Sequence, residues 1–201
     1  MDTTVRAATT TDLAAVADAL TAAFVDDPLM SWAFDDAVRE RRLHAMWSFF
    51  GEQAYLPAGA STALPGGDGA ALWLPPGTHL GEPFWAEHGE KFATALEGDL
   101  ARLGALGEAM AAHHPHDDHW YLLAIGTVPA AQGRGVGSAL LAHTLALADE
   151  RGDPAYLEAT SPRSRALYER FGFEVQAEFN ALDGPPVWAM WRPPLPRSDG
   201  T

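Results

Sequence analysis

The chain has no cysteine among its 201 residues. Disulfides, thiolate metal sites and a cysteine nucleophile are thereby excluded. Basic side chains are also scarce: 13 lysines and arginines stand against 27 aspartates and glutamates, a formal net charge of -14. Such a surface repels phosphate backbones, so no nucleic-acid partner is expected, and it favours cationic ligands such as amines. Long apolar runs are missing too. Nothing approaches the ~20 residues of a membrane helix, and the opening Met1-Asp2-Thr3-Thr4-Val5-Arg6 has no apolar signal core. The expectation is a cytoplasmic protein with no membrane partner, and monomer and homodimer both stay open.

What is present suffices for a core. Apolar residues make up 47% of the chain, and neither a repeat nor a linker divides it, so residues 1–193 read as one domain and 194–201 as a loose tail. The spacing of Leu13, Val16, Ala17, Leu20 and Phe24 predicts a helix over 11–25. Asp26-Asp27-Pro28 reads as its stop. A second helix is predicted over 36–55, strands at 60–64 and 69–74, and one or two helices over 81–112. A strand over 119–128 feeds a Gly-rich turn and a helix over 139–151. Strands at 155–159, 173–181 and 187–191, with a short helix over 163–170, complete the reading.

The turn carries the chemistry. It reads Gln132-Gly133-Arg134-Gly135-Val136-Gly137-Ser138. Its glycines permit positive φ and close backbone approach. The N–H groups that open a helix have no intrahelical acceptor, and with the helix dipole they form an anion cradle, to which Arg134 adds charge. A dinucleotide fingerprint would need Gly-x-Gly-x-x-Gly, one residue longer, and a nucleotide-triphosphate loop would need Gly-Lys-Ser/Thr. An ordinary Gly-rich strand–helix turn remains the alternative.

Val128-Pro-x-x-Gln132-Gly-x-Gly-x-Gly137 resembles the acyl-CoA signature of the GNAT acetyltransferases, and Leu167-Tyr168-Glu169-Arg170-Phe171-Gly172-Phe173 resembles that family's second signature, in order and at the expected distance. The resemblance implies an α/β fold with a mixed, mostly antiparallel sheet of six or seven strands flanked by helices. It implies acetyl-CoA as co-substrate and no metal, with direct transfer to an amine in a ternary complex. It places the pyrophosphate on residues 132–138 and the acyl arm along Ile125, Gly126, Thr127 and Val128, where a backbone N–H near Val128 would hold the developing oxyanion. Tyr168 would protonate the departing thiolate. Many relatives carry an asparagine before the tyrosine helix; here Ser161 and Ser164 stand instead as cofactor contacts.

A narrower similarity, over Trp120–Leu141, Ala155–Val175 and Gly184–Pro193 with Ala22-Ala23-Phe24 and Ala70-Ala71-Leu72-Trp73, is to the branch of puromycin N-acetyltransferase and its actinobacterial relatives. It implies a small primary amine as acceptor, with an aminonucleoside antibiotic as the narrow expectation and resistance as the role. The same branch carries a glutamate like Glu158, the candidate base; a strand glutamate paired to an arginine is its alternative. Asp26 and Asp27 are candidates for the acceptor ammonium, or else simply end a helix. His119 and Trp120 are candidates for the acceptor mouth, as are one or two of Trp32, Trp47, Trp73 and Trp85. His113-His114-Pro115-His116-Asp117-Asp118-His119 has the composition of a metal site without its geometry, and reads as a polar loop. Rival functions are a protein or peptide N-acetyltransferase and a catalytically idle acyl-CoA-binding module.

Overall fold

The computed structural model describes residues 4–195. Among them, β1 (Arg6–Ala7), β2 (Thr62–Ala63), β3 (Gly69–Leu74), β4 (Trp120–Thr127), β5 (Ala155–Ala159), β6 (Glu174–Phe179) and β7 (Val187–Arg192) form one seven-stranded sheet. Its order is β1-β2-β3-β4-β5-β7-β6. Neighbouring strands run antiparallel except β4 and β5, which are parallel. A parallel pair needs a crossover, and α6 (Val136–Arg151) supplies it.

The remaining helices are α1 (Leu13–Phe24), α2 (Pro28–Ala33), α3 (Asp36–Phe50, continued by a π-turn over Gly51–Tyr55), α4 (Glu82–Leu96), α5 (Ala101–His113) and α7 (Pro162–Glu169). Each sheet face has its own apolar layer. Leu72, Leu74, Ala124 and Tyr156 pack with residues of α1, α2 and α3. Trp73, Trp120, Leu122 and Leu157 pack with Val136, Leu140 and Leu145 of α6 and Tyr168 of α7. At the end of β7 the buried Arg192 donates to both carboxylate oxygens of Asp149 at 2.6 and 3.0 Å and to the Phe171 carbonyl at 2.8 Å. This bidentate pair ties α6 to β7.

Two irregularities position everything functional. In the β3–β4 ladder Ala71 faces Ile125, Leu72 faces Ala124 and Trp73 faces Leu122. Leu123 is therefore an extra residue, a β-bulge that bends β4. Pairing of β4 with β5 runs only through Trp120↔Ala155, Tyr121↔Tyr156 and Leu122↔Leu157. Past the bulge the two strands part, while Glu158 and Ala159 stay paired to β7. A wedge opens between neighbouring parallel strands. The second irregularity is Gly126, where a Cβ would lie 2.7 Å from Ala23 Cβ and 3.0 Å from Leu20 Cδ2. Its missing side chain lets the end of α1 press onto β4 beside the wedge.

The element boundaries predicted from sequence hold within a few residues, and the one or two helices expected over 81–112 are two. One difference stands: Asp26-Asp27-Pro28 is not only a stop. Asp27 caps a new helix, α2, with Pro28 at its first position, where a proline's missing N–H costs nothing. Of the predicted tail, residues 196–201 lie outside the described residues.

Candidate active site

The wedge opens into a cleft of about 880 Å³. At one end lies the start of α6. Gly133 and Gly135 take φ of 74° and 82°, and Gly135 is the N-cap, with no side chain capping the helix. A Cβ on either glycine would meet nothing within 4 Å, so the left-handed backbone, not crowding, demands glycine there. The first helical N–H groups have neither an intrahelical nor a side-chain acceptor, and Val136, Gly137 and Ser138 line the cleft. Gln132 bridges the loop: its amide donates to the Thr127 carbonyl at 3.3 Å and accepts from Arg163 at 3.3 Å. Arg163 and Arg170 line this end. The result is a basic, N–H-rich cradle of the kind that holds phosphates.

Along the cleft runs the free edge of β4. The Val128 N–H donates to Asp68 O at 3.1 Å, on the β3 side. Peptide groups alternate sides along a strand, so those of Ile125 and Thr127 face the opened gap. Val128 is absent from the cleft lining, and its committed N–H corrects the expectation of a donor there. The Ile125 and Thr127 N–H groups are the strand's candidate donors at the split.

The other end of the cleft is acidic. Glu158, at the end of β5, has a side chain only 2% exposed. Its Oε2 accepts from Tyr121 Oη at 2.9 Å, while Oε1 is buried without a hydrogen-bond partner. No arginine pairs with it among the described residues, so the alternative of an arginine-paired strand glutamate falls. Asp27 Oδ1 accepts from the Leu29 and Met30 N–H groups at 2.9 and 3.1 Å, and its Oδ2 accepts from Thr160 Oγ1 at 2.7 Å. One carboxylate thus caps α2 and clamps it to the β5–α7 corner across the cleft. Burial holds the Asp27 carboxyl above its ordinary range, against three hydrogen bonds that pull the other way. Tyr168 lies between the two ends, buried on α7 with its ring edge-on to Phe173 at 6.1 Å. Burial, then the Asp27 charge, pushes its phenol up. A phenol so placed stays protonated.

The Acetyltransferase (GNAT) family model matches residues 69–173, more than half the chain, and spans the cradle, the split and Tyr168. The chain belongs to the GNAT acetyltransferase family. It is 27% identical over 82% of its length to an uncharacterized N-acetyltransferase of Schizosaccharomyces pombe, of which it covers 72%. It is 30% identical to the mycothiol acetyltransferase of Beutenbergia cavernae over 74% of its own length and 64% of that enzyme's. Among solved structures, a Corynebacterium glutamicum protein described as histone acetyltransferase HPA2 and related acetyltransferase superposes with a TM-score of 0.72 at 33% identity, over 97% of this chain and 98% of that one. The Drosophila melanogaster polyamine N-acetyltransferase shares the fold, with a TM-score of 0.68 at 18% identity, over 94% of this chain and 99% of that one.

GNAT enzymes use acetyl-CoA as co-substrate, and the residues here fit it: uncapped N–H donors and two arginines for the pyrophosphate, an unpaired strand edge for the acyl arm. The GNAT cleft gathers most of the residues named from sequence, among them Ile125, Gly126, Thr127, Gln132, Gly133, Gly135, Val136, Gly137, Ser138, Ser161, Ser164, Asp26, Asp27, Glu158 and Tyr168. Arg134 is exposed in the loop and outside the lining. Ser161 and Ser164 cap α7 reciprocally, Ser161 Oγ accepting the Ser164 N–H at 3.1 Å. Trp120 is not brought to the cleft: it is buried against α6 and donates to Asp153 at 3.1 Å. Trp32, Trp47, Trp73 and Trp85 do not line it either. Sequence reasoning missed Thr160, Arg163 and Tyr121. The first two flank the Ser161-Pro162 helix start, a local signal that was available. Tyr121 had none, because its partner is 37 residues away. Among the described residues no group of three or more His, Asp or Glu is placed to hold a metal, and no helix is long and apolar enough to cross a membrane.

Proposed function

We propose that the protein transfers the acetyl group of acetyl-CoA to a primary amine of a small cationic molecule. One observation carries this reading: a buried carboxylate with no lysine or arginine partner among the described residues, Glu158, sits in the cleft at the end opposite the basic cradle. A buried carboxylate lacking a partner is costly, and an incoming ammonium relieves that cost. Bound acetyl-CoA supplies an acyl carbon activated as a thioester. Glu158 accepts a proton from the ammonium and so frees the nitrogen lone pair. The Ile125 N–H donates to the carbonyl oxygen as charge gathers on it. Tyr168 gives its phenolic proton to the sulfur as the C–S bond breaks, and the second amine proton, leaving nitrogen as the amide forms, restores the phenol.

Within this class an aminonucleoside antibiotic is the narrow reading, supported by the sequence elements shared with the puromycin-acetylating branch. A protein lysine is the second reading, favoured by the likeness to the Corynebacterium protein whose description invokes histone acetylation. A panel assayed for CoA release separates them: puromycin, an aminoglycoside, agmatine, spermidine, tyramine and a lysine-bearing histone-tail peptide. The small-amine reading expects turnover of one or more of the free amines and an inert peptide. Turnover of the peptide alone overturns it. An inert panel, together with CoA binding by calorimetry, would favour an idle acyl-CoA-binding module.

A further inference from the structure

The histidine-rich loop before β4 is not absorbed by the cradle or the split, yet it ends beside the candidate base. His114 Nδ1 lies 3.8 Å from Glu158 Oε1, the carboxylate oxygen that has no hydrogen-bond partner. The imidazole packs edge-on to Tyr121 at 4.8 Å and to Tyr156 at 5.0 Å between ring centroids. Those tyrosines stand on β4 and β5, the two strands that part at the split. The Glu158 side chain is 2% exposed and that of His114 29%. A dry carboxylate is thus followed, one step outward, by an imidazole that reaches solvent.

We propose that His114 is the proton outlet of the active site. The inference rests on Glu158 being the base. Each turnover leaves one proton on Glu158, and the next acceptor ammonium meets a spent base until that proton departs. The cleft side of Glu158 is covered by substrates during the reaction, and Tyr121 already donates to Oε2, so the proton leaves through Oε1. The neutral imidazole, protonated on Nε2, takes the proton from Oε1 onto Nδ1 and releases the Nε2 proton to water. The carboxylate is restored and the charge balances; the imidazole is left protonated on Nδ1 and regains its starting tautomer by exchanging protons with water. The 3.8 Å separation exceeds a hydrogen bond by ~1 Å, a distance a loop side chain covers by rotation.

The neighbours favour this direction of transfer. The groups facing Glu158 are Tyr55 from the turn after α3, Tyr121 from β4 and Tyr156 from β5. The phenols of all three are pushed up by burial and by the Glu158 charge. They therefore hold their protons and do not compete as acceptors. His119, just before β4, also faces His114, at 5.0 Å, and burial holds its imidazole below the usual range. His79, Asp117 and Asp118 complete the charged surroundings of His119 and the loop. His114 is the imidazole among them that combines contact with Glu158 and access to water.

The test uses the full chain, acetyl-CoA and the panel amine with the highest turnover. His114→Ala should lower kcat roughly ten-fold, with the KM for acetyl-CoA unchanged, and tens of millimolar free imidazole should restore much of the loss. Glu158→Gln should lose roughly a hundred-fold, and imidazole should not restore it. In the substrate-free protein, the ¹⁵N resonance of His114 Nδ1 should move when Glu158 is changed to Gln. Parent-like kcat in His114→Ala, a loss that imidazole leaves untouched, or an unmoved Nδ1 resonance overturns the outlet while leaving Glu158 as base. A Glu158→Gln variant that turns over at the parent rate removes the base and the outlet together.

Discussion

At the cradle end of the cleft the binding groups are peptide N–H groups on consecutive residues, exposed because a helix begins there. At the acidic end they are side chains drawn from far apart: Asp27 reaches Thr160 across 133 residues, and Glu158 receives Tyr121 across 37. The first kind of site is a property of a short stretch of chain and recurs wherever the stretch recurs. The second exists only once the sheet has formed, and a single side chain can alter it without disturbing its neighbours. The cradle is therefore suited to a co-substrate common to a family, and the acidic end to an acceptor that differs between members.

If the two ends are separable, substitutions at one should leave the other intact. The largest effect is expected for Glu158→Gln: kcat/KM for the amine should fall two to four orders of magnitude, while calorimetry gives an unchanged affinity for CoA. A parallel loss of CoA affinity would break the division. Tyr168→Phe comes next. Its hydroxyl serves the leaving sulfur, so kcat should drop roughly a hundred-fold with little change in either KM. Gly135→Val tests the cradle. At φ 82° a branched side chain costs about 1–2 kcal/mol, and CoA should bind about ten-fold more weakly while acceptor selectivity across the panel is kept. A smaller effect is expected for Thr160→Val, which removes one hydrogen bond to Asp27, worth about 1 kcal/mol. The acceptor KM should rise several-fold and Thr160→Ser should restore it.

The smallest effect is on stability and depends on pH. The folded Asp27 carboxyl titrates above its ordinary value because it is buried. A raised acid means that the folded state holds its proton more tightly than the unfolded chain does. Stability from this group is thus greatest below the unfolded value near 4 and is lost as pH rises through the folded one. Asp27→Asn keeps an oxygen for the Leu29 and Met30 N–H groups, and the Thr160 hydroxyl can turn to accept from the amide. Thermal unfolding of the variant should therefore match or exceed the parent's at pH 7 and lose that part of the pH dependence. A large loss at neutral pH would show that the ionised clamp stabilises more than its burial costs.

The same contrast explains what could be read from the sequence. The cradle, the tyrosine helix and most strands were legible because local spacing determines them. Asp27 was not: Asp-Asp-Pro is equally good grammar for ending one helix and for starting another, and only the contact with Thr160 shows that it does both. Trp120 was misplaced for a related reason. Alternation along β4 puts it on the α6 face, and nothing within ten residues says which face carries the acceptor. Of residues 125–128, expected to supply the donor, Val128 drops out because Asp68, from the turn before β3, claims its N–H. The local pattern pointed to the right strand segment, and a long-range bond removed one donor from it.

The surplus residue in β4 fixes more than a bend. Remove Leu123 and Leu122 and Ala124 become neighbours opposite Trp73 and Leu72, a regular ladder in which Ala124 and Ile125 keep their present sheet faces. What is lost is the bend at which β4 leaves β5, and with it the gap's reason to open. Access of substrate between two neighbouring strands is set here by chain length, so a single-codon deletion, with no change to any reacting side chain, is expected to yield a folded protein that is inert.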